Sequence, residues 1–483
     1  MKQLSSLDAQ FLAIEDGRRT GHVAALAIHD PSTAAGAELT CAKLMKVLEE
    51  RMHLLPPLRW RLVEVPFGLD YPYWVDDDGF DMTYHVRESA LPSPGTDHQL
   101  AELVSRLHSR QLDRARPLWE MYVISGLASG HVAVYTKLHH ALLDGVSGAE
   151  IMGFLLDLSP DGRPLPPADG AASQRPPGAL QMWGRAVLGL QRYPLRVLRS
   201  LPQALPNLEE TTLSAVPGVG QAGRLLGRLQ RAVRPESHPV IRSPLPAPKT
   251  SFNQRLSPSR RIAFGSLDLH RVKYVKNAFG VTVNDVVVAM AAGAVRRWLL
   301  DHKELPDQPL VAQIPVSVRT EEQAGTYGNH VLMMAAPLPT HIADPVARLT
   351  ATAAGLVEMK QRYGALPADL LSDVNHLIPP ALFTRAARAT FALATSSVGR
   401  PTWNVVVSNV PGPQFPLYSC GARLMAQYPI SAITDGLGLN ITVMSYDGHI
   451  DIGIVADRDQ VPDVWKLLDG LELSLSELED AAR

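Results

Sequence analysis

The segment His139-His140-Ala141-Leu142-Leu143-Asp144-Gly145 sets two imidazoles close to a carboxylate and a glycine. Histidine titrates near neutral pH, so it can take a proton from a hydroxyl and hand it on to a leaving group. The chemistry that fits is acyl transfer to an alcohol. The hydroxyl oxygen attacks a thioester carbonyl as the base removes its proton, and the departing thiolate can take that proton back. The run from His131 to His140 (HVAVYTKLHH) is rich in strand formers. Strand alternation sets His140 on the face of Val134 and Leu138 and turns His139 the other way. The two histidines then cannot do one job. One can enter a reaction centre, and the other is left for structure. Asp144, four residues past His140, could hydrogen-bond its own loop or pair with an arginine, and Gly145 permits a sharp reversal.

Two plainer readings compete. Zinc ligation needs further ligands at suitable spacing; none is visible, and adjacent strand positions diverge, so no metal is expected. A purely structural histidine pair fits the motif taken alone.

The elements around the motif read as α/β. Val23 to Ile28 is a short apolar strand, and Lys43 to Met52 has helical spacing. Asp97 to Leu112 carries Leu100, Leu103, Val104 and Leu107 on one stripe, and a further helix is expected from Ser147 to Leu158. Arg261 to Leu267 is strand-like. Thr282 with Asp285 resembles a capping box ahead of the apolar helix Val286 to Leu300. Val311 to Val318 and Thr402 to Ser408 read as buried strands. Leu439 to Tyr446 and Ile450 to Ala456 flank Asp447-Gly448 as a hairpin. A helix from Val461 to Glu479 closes the chain.

At 483 residues, two domains are expected: 1–158 with the histidine motif, a Pro- and Arg-rich crossover over 159–249, and 250–483. With 46% hydrophobic and 19% charged residues the composition is that of a folded chain. The balance of 46 basic against 48 acidic residues gives no electrostatic case for nucleic acid. Cys41 and Cys420 lie far apart and favour a reducing compartment. The first residues do not read as a secretory signal, and the apolar run Val286 to Val295 is too short for a bilayer span of about 20 residues.

His139 to Gly145 matches the HHxxxDG signature of the coenzyme-A-dependent acyltransferase superfamily. The chain as a whole resembles the bacterial wax ester synthase/diacylglycerol acyltransferase family. The resemblance rests on Leu7-Asp8-Ala9-Gln10-Phe11, Pro117-Leu118-Trp119-Glu120, Asn284-Asp285, Pro315-Val316-Ser317-Val318-Arg319, Gly328-Asn329 and Ser408-Asn409-Val410-Pro411-Gly412-Pro413. It implies two chloramphenicol acetyltransferase-like α/β sandwiches with an interdomain tunnel, His140 as general base and Asp144 as a structural residue. It makes Gly145 a position where added bulk affects which alcohol fits. Acyl-CoA and a hydrophobic alcohol are the implied substrates, with no cofactor beyond CoA itself. The product is triacylglycerol from diacylglycerol and, by extension, wax ester from fatty alcohol. The family usually has Met before His22 and Gly after Val23. Here Gly21 and Ala24 stand instead, a departure expected to touch local packing and not chemistry.

Supporting residues follow from the same motifs. The Asn284 amide is expected to steady the histidine or help hold the thioester oxygen as charge develops, the plainer reading being that it serves the helix start, as Asp285 does. Arg319 could partner Asp144 or be a solvated strand end. Trp119 reads as core packing. Ser408 and Asn409 could meet the tunnel as substrate contacts or only turn the chain. Trp183, Arg185, Arg192, Tyr193, Arg196 and Arg199, and later Arg224, Arg228, Arg231 and Arg234, suit amphipathic helices on an anionic lipid surface. The expected location is cytoplasmic, peripheral to membrane or lipid droplets. Two other readings stand beside this one: a condensation-type acyltransferase fed by a carrier-protein thioester, and a lipid-surface protein without turnover.

Overall fold

The computed structural model describes residues 2–4, 6–34, 39–66, 70–145, 148–166, 178, 184, 247–317, 331–364 and 401–483. Val318, Arg319, Gly328, Asn329 and the arginine-rich helices expected in the crossover lie outside the described residues.

The N-terminal half contains helices α1 (Ser6–Ile14), α2 (Cys41–Arg51), α3 (Met82–His85), α4 (Asp97–His108) and α5 (Gly148–Leu155). Its strands are β1 (Lys2–Gln3), β2 (His22–Asp30), β3 (Trp60–Val63), β4 (Tyr73–Asp76), β5 (Val86–Ala90), β6 (Trp119–Ser125) and β7 (Val132–His139). Strands β1, β4 and β3 form a small sheet of their own. The later chain supplies β8 (Arg260–Asp268), β9 (Leu310–Ser317), β10 (Val331–Leu338), β11 (Val405–Pro411), β12 (Tyr418–Ser419), β13 (Ala422–Ile430), β14 (Leu439–Tyr446) and β15 (His449–Asp457). Among the described residues its helices are α6 (Leu269–Phe279), α7 (Val283–Asp301), α8 (Pro345–Gly364) and α9 (Trp465–Ala481).

Two six-stranded sheets result, in the orders β12-β13-β2-β7-β6-β5 and β10-β9-β11-β14-β15-β8. The first is not built from the N-terminal half alone: β13 crosses over and pairs antiparallel with β2. The division at residue 250 therefore marks chain order, not the limit of each sheet. At the crossing, the backbones of β13 and β15 meet so closely that a Cβ at Gly453 would overlap the Pro429 carbonyl oxygen. One apolar cluster draws Leu100, Tyr135, Phe264, Ile430 and Val455 together from both halves.

The capping box holds as expected: Thr282 Oγ1 accepts from the Asp285 N–H at 3.2 Å, and Asp285 Oδ2 accepts from the Thr282 N–H at 2.8 Å. Helix α7 is apolar nearly all round its first three turns, and its burial between α8, α9 and the sheet follows from that. Other ends differ from the sequence reading. Helix α5 stops at Leu155, short of Leu158, because Asp157 leaves to bridge Tyr418 and Arg51 takes the Phe154 carbonyl and the Asp157 carboxylate. Helix α4 ends at His108, short of Leu112, and the buried Lys137 ammonium donates to the carbonyls of Leu107 at 3.2 Å and Arg110 at 3.1 Å.

Lys137 lies two residues before the end of β7 and 3.3 Å from Glu120. It thus anchors the histidine strand to α4 by a cation at a helix C-terminus. Lys137→Met is expected to lower unfolding stability by on the order of 2 kcal/mol, since the buried Glu120 carboxylate keeps only Tyr122 and a more distant Arg87 and two carbonyls lose a charged donor. A fall in the denaturation midpoint at unchanged slope checks this.

Candidate active site

Strand β7 ends at His139, and His140–Gly145 is a 3-10 turn. The alternation read from the sequence therefore stops one residue early: His140 does not continue the strand face of Val134 and Leu138. The His140 N–H still donates across to the Gly21 carbonyl at 2.8 Å, but the Gly21 N–H that would return the pair goes to Glu15 Oε1 instead, and the ladder ends there. The half-buried His140 ring stacks on Phe11 of α1, with centroids 3.9 Å apart and planes at 17°.

His139 is buried at 1% exposure, with one ring nitrogen hydrogen-bonded and the other beside a carboxylate. Nδ1 accepts the Ala141 N–H at 3.1 Å, and Nε2 stands 3.2 Å from Glu15 Oε1. A nitrogen that accepts carries no proton, so the ring proton sits on Nε2. This corrects the inclusion of His139 among the catalytic candidates: it supports the turn from inside. Beside it across the sheet, in register, is His22, whose Nε2 lies 2.7 Å from the His108 carbonyl. Burial first, then the neighbouring His108 and Lys137, pushes His22 well below the usual histidine range.

Glu15 was not singled out from the sequence. It follows the last residue of α1, where a carboxylate faces the negative end of the helix dipole. An acid there needs compensation, and that mismatch was the available signal. Oε1 accepts the Gly21 N–H at 2.7 Å, and Oε2 accepts from Arg114 at 2.9 Å. Burial pushes the carboxyl up; His139, the Gly21 N–H and Arg114 outweigh it and bring it down to about 2.

Gly21 packs against the same His139 ring. A Cβ there would sit 2.8 Å from His139 Nε2 and 3.1 Å from the Phe11 carbonyl. The departure at this position therefore bears directly on the seating of the histidine pair.

The remaining candidates are spread out. Asp144 and Gly145 occupy the turn. Asn284 is half-buried in the first turn of α7, and its amide has no hydrogen-bond partner among the described residues. Ser408 and Asn409 are half-buried on β11, opposite Thr442 and Val443 of β14. Trp119 is core: fully buried, it donates from Nε1 to the Leu58 carbonyl at 2.7 Å and stacks on His85. The structure thus gathers Phe11, Glu15, Gly21, His139 and His140 in the N-terminal half, while Asn284, Ser408 and Asn409 belong to elements of the other.

Two outcomes follow. The Glu15 carboxyl lies at about 2 in the fold against 4.5 unperturbed, so its stabilisation is complete above the unfolded value and lost as pH falls toward 2. Wild type should exceed Glu15→Gln by on the order of 3 kcal/mol at neutral pH. That gap should close on acidification, read by denaturant unfolding across a pH series. Gly21→Ala, which must displace His139, should cost about 1–3 kcal/mol and lower the melting temperature measurably.

The catalytic-domain pattern of wax ester synthase/diacylglycerol acyltransferase matches residues 4–287, and the WS/DGAT C-terminal domain matches residues 327–479. A Mycobacterium tuberculosis protein with the provisional name diacylglycerol O-acyltransferase is 38% identical over 99% of this chain and 90% of its own length. A second from that species, also provisionally named, is 39% identical over 99% of both chains. The solved wax ester synthase/diacylglycerol acyltransferase from Marinobacter aquaeolei superposes with a TM-score of 0.71 at 32% identity, covering 100% of both chains. The first condensation domain of the CDA synthetase shares the fold at a TM-score of 0.55 and 15% identity, over 100% of this chain and 97% of that one. The chain belongs to the wax ester synthase/diacylglycerol acyltransferase family.

Proposed function

We propose that the chain transfers a long-chain acyl group from acyl-CoA to the free hydroxyl of diacylglycerol, with His140 as general base. The observation that carries the role of His140 is the split between the two histidines. His139 is buried inside the half between the Ala141 N–H and the Glu15 carboxylate, whereas His140 begins a turn, half-exposed and braced on one face by Phe11. His140 takes the hydroxyl proton as the oxygen bonds to the thioester carbonyl carbon. The tetrahedral species then collapses, the carbon–sulfur bond breaks, and the proton passes to the CoA thiolate. The ester and free CoA leave.

Neither cysteine is needed, because direct attack suffices, and CoA enters as substrate with no further cofactor. Asn284 supplies an amide toward the developing oxyanion. Asp144 is a structural residue of the motif, and Gly145, Ser408 and Asn409 shape the acceptor side of the tunnel that the family resemblance implies. Fatty alcohol is a second acceptor, giving wax ester. The arginines of the crossover seat the enzyme on an anionic membrane or droplet surface from the cytoplasmic side, where such alcohols reside.

The test is a radiolabelled acyl-CoA assay over a panel of alcohols resolved by lipid chromatography. Wild type should label triacylglycerol, and His140→Ala should lose roughly two to four powers of ten in rate at an unchanged melting temperature. Undiminished turnover by that variant removes His140 from the chemistry. Acyl-carrier protein outcompeting acyl-CoA would reassign the donor.

A further inference from the structure

Resting on the reading of His140 as the base, we propose that Glu15 is a positioning residue of the reaction, acting through the His139 ring to fix the turn that presents His140. The turn is latched at two backbone N–H groups. That of His140 donates to the Gly21 carbonyl, and that of Ala141 donates to His139 Nδ1. The second latch exists only while Nδ1 is unprotonated.

A neutral imidazole carries one proton and can place it on either nitrogen. Glu15 Oε1, 3.2 Å from Nε2, presents an acceptor and no donor, so the proton stays on Nε2. In the opposite tautomer Nδ1–H would face the Ala141 N–H, two donors against each other, and the latch would open.

Glu15 is itself held. Gly21 donates to Oε1 and Arg114 to Oε2, and Arg114 also reaches the Leu12 carbonyl of α1. Helix α1 in turn carries Phe11, the ring stacked on His140. One carboxylate therefore ties the start of β2, the end of α1 and the catalytic turn together without facing substrate. Small displacements of a base are costly, since about 1 Å can reduce rate by roughly a hundredfold. Second-sphere partners of this kind commonly contribute about ten- to a hundredfold.

A double-mutant cycle on the full-length chain, reading kcat and KM separately, tests this. Glu15→Ala should lower kcat about ten- to a hundredfold with KM for acyl-CoA within about threefold. Combined with His139→Ala, it should lower kcat no further than the more severe single variant, since both act through one ring. Glu15→Gln keeps an acceptor oxygen toward His139 and should lose clearly less than Glu15→Ala. Additive losses, a loss confined to KM, or equal damage from Gln and Ala would each overturn the proposal. If circular dichroism shows Glu15→Ala unfolded, the cycle runs on Glu15→Leu, which fills the space without an acceptor, with His139→Ala under the same criterion. His140→Ala is the control that separates the two readings. Full activity there ends the base assignment, while an inactive His140→Ala beside an additive cycle ends only the role of Glu15.

Discussion

The buried His139 imidazole, with a backbone N–H on one nitrogen and a carboxylate by the other, is the constraint on which the arrangement around the turn depends. Two adjacent histidines on a regular strand would simply point to opposite faces. Here the first is consumed inside the half, and the second opens a turn whose N–H is held by the Gly21 carbonyl. A buried polar ring is costly unless its hydrogen-bonding groups are met, and meeting those of His139 fixes Glu15, Gly21 and Ala141 at once. The direction of the His140 ring follows from how its neighbour is satisfied.

That local arrangement would be of little use on a loosely joined pair of domains. Strand β13 leaves the C-terminal chain to pair with β2, and β2 is the strand registered against the histidine strand, with His22 opposite His139. The crossing pins the two halves by backbone hydrogen bonds, and a shared apolar core closes over it. Separating the halves would have to open that shared core or pull β13 away from β2. A reaction that engages residues from both halves would need such a brace.

What was legible in the sequence was local. The capping box at Thr282 and Asp285 could be read because both partners lie three residues apart and the helix after it is apolar. The hairpin of β14 and β15 could be read from Asp447-Gly448, and Asp447 does take a positive φ of 41° there. What was missed was non-local. Nothing in Ala422–Ile430 announces that it joins a sheet nearly 400 residues upstream. The early end of α5 needs Arg51 and Tyr418, neither of them a neighbour in sequence. Glu15 and Gly21 became meaningful only when the β2–β7 register set them against His139. The motif residues were visible by type, but the groups that orient them are visible only through the fold.

Gly21 shows which part of this arrangement can vary. The family usually has Met at this position, and a Cβ placed on the present backbone would press on the His139 ring. The other two contributions of residue 21 are its N–H to Glu15 and its carbonyl to the His140 N–H, and any residue except proline supplies both. The backbone half of the network is therefore independent of side chain, and only the space for the ring depends on glycine. A larger residue must be accommodated by a shift of His139 by a few tenths of an ångström or by a different approach of α1. Either change moves Phe11 or the Ala141 latch, the two supports nearest to His140. Substitution at residue 21 should therefore act on catalysis through geometry, with the hydrogen bonds of its own backbone left intact.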